Sequence, residues 1–99
     1  MMTVKDYIKL ILKKKNWTNT KFCEELNKVN QRIKDKTTHV QNITNMFNED
    51  RNLSPKTLVK MEVALELPFG TLLNISKQPL GKDAKRELKS MIEKVREKK

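Results

Sequence analysis

Apolar residues recur along the chain in blocks with helical spacing, and no block alternates convincingly as a strand would. The pattern predicts five or six helices. From residue 4 to 15, Val4, Ile8, Ile11 and Leu12 fall on one face, with lysines elsewhere and Tyr7 at the border. Asn16 ends that helix, and Trp17 covers the core there. Thr18 is a good N-cap for a second helix with Phe22, Cys23, Leu26 and Val29 inward, although Lys21 at its third position gives no capping box. The polar run "NQRIKDKTT" predicts an extension of this helix into Gln31 or Arg32, then a loop. Thr37 or Thr38 is expected to cap a third helix over 39–48, with Val40, Ile43, Met46 and Phe47 on its apolar side. After a turn at "NEDRN", Ser54-Pro55 combines a capping side chain with proline at the first helical position. Leu58, Val59, Met61, Ala64 and Leu65 then face inward. Leu67-Pro68 ends this helix and opens a short one through Leu73. Beyond the linker-like "SKQPLG", Ala84, Leu88, Met91, Ile92 and Val95 define one face of a last, basic helix.

The chain has 99 residues, the size of one small domain, with a modest core. Its organisation reads as a domain over 1–75, a linker over 76–82 and a C-terminal helix over 83–99. No apolar run approaches the ~18 residues of a membrane span. The N-terminus lacks the cleavage pattern of a secretory signal, and one cysteine cannot staple a domain internally, so the expected location is cytoplasmic. Charge adds the first functional clue. The net charge is +10, which points to a polyanionic partner. Residues 1–16 carry five lysines against one aspartate, and residues 74–99 carry nine basic against four acidic side chains. The segment 30–38 is also basic, whereas 39–52 has a net charge of −1.

Candidate chemistry is sparse. His39 is the single histidine and Cys23 the single thiol, so no four-ligand metal set is available. Cys23 lies on the apolar face beside Phe22, as a small core residue would. Two glycines do not build a phosphate loop, and the carboxylates at Glu24/Glu25 and Glu49/Asp50 are adjacent rather than paired across a cleft. The expectation is no enzyme, no cofactor and no metal.

The run from Ser54 to Leu72 resembles the second half of the Cro/XRE-type helix-turn-helix domain, through Ser54, Leu58, Met61, Ala64, Leu65, Leu67 and Leu72. Ile43-Thr44 matches the "I-S" of that family's recognition helix without a gap. "WTNTKFCEEL" is similar to the family's "lTqeeLAekl", with Thr18 as cap, Phe22 as the large apolar residue and Cys23 where the helices touch. The resemblance covers about residues 4–73. It departs at the turn: Asn27 stands where the family has glycine, and nine residues separate Val29 from His39. It implies an all-α fold, a five-helix lambda-repressor-like domain followed by a basic amphipathic helix.

On that resemblance, the helix 39–48 enters the major groove of double-stranded DNA. Asn and Gln pair bidentately with adenine, and Thr can meet a thymine methyl. Gln41, Asn42, Thr44, Asn45 and Asn48 are thus the base-contacting candidates. Helix geometry puts Gln41, Asn45 and Asn48 on one side, with Thr44 adjoining. Phosphate contacts are expected from Thr18, Asn19 and Lys21 at the start of the second helix, from Arg32, Lys34 and Lys36 in the insertion, and from His39, Lys13 and Lys14. The function so implied is a sequence-specific transcriptional regulator, a dimeric repressor of phage or plasmid type. The homodimer surfaces would be Leu67–Ile75 or the apolar face of 83–98. The alternative is a small protein-interaction module or inhibitor on the same scaffold. Membrane association through 83–98 is a weaker third reading, because its apolar face lacks the Trp and Phe that such anchors favour.

Overall fold

A computed structural model describes residues 3–49, 53–77 and 81–97, with side chains described up to Val95. The described residues form an all-α protein of six helices without strands: α1 Val4–Lys15, α2 Asn19–Arg32, α3 Val40–Asn48, α4 Pro55–Ala64, α5 Thr71–Ser76 and α6 Lys82–Glu97. The turn expected at 48–52 and the linker expected at 76–82 fall partly outside the described residues, at 50–52 and 78–80.

Local chemistry explains most boundaries. Thr3 and Asp6 form a capping box at the start of α1, and Asn16 ends α1 in the left-handed conformation at φ 59°. The Thr18 hydroxyl accepts from the Lys21 amide, and the Ser54 hydroxyl accepts from the Thr57 amide ahead of Pro55. The start of α5 is organised differently. Gly70 occupies its N-cap at φ 94°, a conformation that favours glycine, and supplies no capping side chain. The fully buried Glu62 of α4 replaces that cap. Its carboxylate accepts from the amides of Gly70 at 3.0 Å, Leu72 at 2.6 Å and Leu73 at 3.3 Å. A negative charge at a helix start, meeting otherwise unpaired N–H groups, fixes the break between α4 and α5.

One core joins all six helices. Ile8, Phe22, Leu58, Val59 and Leu72 are completely buried, and Leu26, Ile43, Met61, Leu65, Ile92 and Val95 join the same cluster. The helix α4 is central and packs against α2, α5 and α6, while α2 also carries α3.

Three expectations need correction. His39, not Thr37 or Thr38, is the N-cap of α3, and no side chain caps it, because Thr38 is engaged with α2 instead. Val40 is 41% exposed rather than inward, because Ile43 and Met46 set the core side of α3 and Val40 lies about a quarter turn away from it. The apolar face of α6 is not free for a second copy. Ile92 and Val95 are buried in the chain's own core, with Leu88 and Met91 packed against it.

Burial of α6 in the core makes it part of the cooperative unit. Ile92→Ala is expected to lower the global unfolding free energy by about 2–4 kcal/mol in urea titrations followed by circular dichroism. A change below about 0.5 kcal/mol would show that α6 unfolds on its own.

Candidate nucleic-acid interface

The presentation of α3 depends on the connection 33–39, which a network of amide side chains holds against α2. Asn27 acts as a surrogate backbone edge. Its Oδ1 accepts from the Thr38 amide at 2.8 Å, and its Nδ2 donates to the Thr38 carbonyl at 2.9 Å. The Cys23 thiol donates to the same carbonyl at 3.1 Å. Asn30, 1% exposed, donates to Asn27 Oδ1 at 3.0 Å and to the Thr38 hydroxyl at 3.3 Å. Its own Oδ1 accepts from Lys60 of α4 at 2.9 Å. The Lys60 ammonium also bonds Asp35 of the connection at 3.0 Å, and Lys56 adds a second cation at 3.4 Å. Each buried polar side chain in this set has a partner, as burial in a low-dielectric interior requires.

The electrostatics follow from these partners. The Lys36 amide, then Lys60 and Lys56, hold the Asp35 carboxyl down at about 2. Burial pushes the Cys23 thiol up, which keeps it a neutral donor at pH 7. On the far side of α2, Lys28 and Lys21 lower Glu25.

Ile43 and Met46 anchor α3 to the core. Opposite them, at about 100° per residue, lie Gln41, Asn45 and Asn48. Gln41 Nε2 donates to Asn45 Oδ1 at 3.0 Å, so these two amides already form a pair one turn apart. Thr44 flanks the pair and bonds back to the Val40 carbonyl at 3.3 Å. Asn42, on the other flank, borders a cleft of about 270 Å³ shared with Thr38, Ser54 and Thr57. The five base-contacting candidates thus share one helix, on which Gln41, Asn42 and Asn48 are exposed and Thr44 and Asn45 are half-buried.

The phosphate candidates divide. Lys34 and Lys36 are exposed in the connection leading into α3, and His39 is exposed at its N-cap. Thr18 is used as a cap, Asn19 is half-buried beside it, and Lys21 pairs with Glu25 at 3.1 Å and lies over the Trp17 ring. Lys13 and Lys14 are exposed in the last turn of α1. Arg32 is not beside α3. Its guanidinium donates to the Val95 carbonyl at 3.1 Å, near the end of α6. The sequence pattern missed two cations that are close to α3. Lys9 lies 5.5 Å from the Phe47 ring, and the Lys5 ammonium donates to the Glu49 carbonyl just past the end of α3. Their spacing of four on α1 puts them on one face, but nothing in the sequence shows which helix that face meets.

Among the described residues no group of acidic, histidine or cysteine side chains could hold a metal ion, and no helix is long and apolar enough to cross a membrane. Compared with protein-family models, curated proteins and solved structures, the chain finds no match.

The depressed carboxyl of Asp35 sets a pH dependence with a definite sign. Its stabilising contribution is complete above the ordinary carboxylate value near 3.8 and is lost as pH falls towards about 2. Asp35→Asn is expected to cost about 1–2 kcal/mol at pH 6 and much less at pH 2.5, in urea unfolding at both pH values. An equal cost at both would mean that the Lys36 amide, Lys60 and Lys56 do not hold the carboxylate in its charged form.

Proposed function

We propose that the chain is a sequence-specific DNA-binding regulator of the helix-turn-helix kind, in which α2, the connection 33–39 and α3 form the reading unit. The observation that carries this reading is the Gln41–Asn45 pair on the outer edge of α3. A Gln or Asn side chain offers one donor and one acceptor, which complement the N7 and N6 groups of adenine in the major groove. Asn48 and Thr44 extend the same edge, and Asn42 lies at its margin. Lys34 and Lys36 before α3, and Lys5 and Lys9 near its end, supply cations for flanking phosphates. In this arrangement α4 braces α2, which carries α3, and α5 packs on α4 and α1.

Regulators of this kind read few base pairs per chain, so the proposal includes a homodimer on a two-fold-symmetric site. With the apolar face of α6 committed to the core, the dimer surface must lie elsewhere. The net charge of +10 supports attraction to a polyanion, while α3 itself carries no charged side chain. That second fact is what a protein-interaction module on the same scaffold would also show, and the test below separates the two.

Selection from random duplex DNA is expected to enrich a palindromic motif. On that motif, Gln41→Ala or Asn45→Ala should weaken binding by about 1–3 kcal/mol with little change on random DNA. Lys34→Ala or Lys36→Ala should weaken both alike and flatten the salt dependence by about one unit. Absence of any enriched motif at moderate salt would favour the interaction module.

A further inference from the structure

We propose that the exposed cationic stripe of α6 is a second, sequence-indifferent binding surface for a phosphodiester backbone, placed so that one molecule can hold two nucleic-acid segments. Lys82, Lys85, Arg86 and Lys89 line a shallow cleft of about 440 Å³ against Phe69, Gly70 and Asn74 at α5. At about 100° per residue these four cations span an arc of about 100° on α6, while Asp83 and Glu87 project from other sides. Glu93 ends the stripe one turn beyond Lys89. Lys89 lies 6.0 Å from the Phe69 ring, which tethers its stem beside the cleft. Four cations over two helical turns repel one another, and a polyanion is the partner that relieves this.

The occupant follows from what the other face of α6 does. A basic amphipathic helix binds a membrane by inserting its apolar face. Here Ile92 and Val95 are buried in the protein core, so that face is already used. Only charge remains to be matched, and a phosphodiester backbone matches it without apolar insertion.

The stripe does not adjoin α3: α3 packs on α2, whereas the stripe sits at the start of α6 beside α5. Cys23, Asn27 and Asn30 hold the connection into α3 from one face of α2. Glu25, Lys28 and Arg32 lie on the opposite face, towards the end of α6. This inference goes beyond the α3 reading and does not require base-specific recognition.

The test compares the full chain with two variants, Lys85→Gln/Arg86→Gln/Lys89→Gln and Gln41→Ala/Asn45→Ala, after circular dichroism has shown equal melting temperatures. Three substrates are used: random duplex DNA, duplex RNA of the same length and anionic phosphatidylserine vesicles. The α6 variant should flatten the salt dependence on random DNA by about two to three units, and the α3 variant should leave it unchanged. A parallel loss on RNA shows that the stripe reads the backbone alone, and a loss on DNA only restricts it to B-form duplexes. Bead-bound duplex should capture a second, labelled duplex through the wild-type protein and the α3 variant, but not through the α6 variant. A salt slope unchanged in the α6 variant, bridging that survives in it, or a loss confined to vesicles would each overturn the proposal. Failure of the α3 variant to alter sequence preference would overturn the earlier reading and leave this one standing.

Discussion

The paired hydrogen bonds between the Asn27 side chain and the Thr38 backbone are the constraint on which the presentation of α3 depends. A tight turn between two helices fixes their relation by its own geometry. A connection of this length cannot, because its backbone groups have no regular partners. Asn27 removes that freedom by offering Thr38 the donor and acceptor that a neighbouring strand would offer. Asn30 supports Asn27 from below, and Lys60 satisfies Asn30 from α4. The network thus spans α2, the connection and α4. Losing one member leaves buried polar groups unpaired, which costs more than one ordinary hydrogen bond.

At position 27 an asparagine, rather than a residue without a polar side chain, reaches outward to this long connection. The neutral character of α3 is compatible with the same logic. On the proposed DNA-binding reading, the work of attracting a polyanion falls to α1, the connection and α6, and α3 is left with amide and hydroxyl groups suited to discriminating between bases.

Much of the fold was legible because it rests on local rules. The apolar spacing in α1, α2 and α4 is unambiguous, and Thr18 and Ser54-Pro55 mark starts that depend only on nearby residues. The outward edge of α3, Gln41, Asn45 and Asn48, follows from helical geometry once Ile43 and Met46 face inward. What was not legible depends on distant partners. Thr38 reads as a cap until Asn27 is seen to claim its backbone. Val40 reads as core because it is apolar and in register. Arg32 belongs by sequence to the basic insertion, yet its guanidinium is bound 63 residues away at the Val95 carbonyl. Glu62 carries no local signal in the sequence, and only the fold brings three amides to it.

The central claim is that α3 presents an amide edge to DNA while the charge that attracts DNA lies on other elements. The most direct measurement is a titration of isotope-labelled protein with a duplex carrying the selected motif, followed through side-chain amide resonances in two-dimensional NMR. The account predicts that the side-chain amides of Gln41 and Asn45 shift with the specific duplex and not with a scrambled one. Those of Asn27 and Asn30, enclosed in the network, should stay in place with both. Shifts confined to the lysine-rich segments of α1 and α6, with Gln41 and Asn45 unmoved by either duplex, would contradict it.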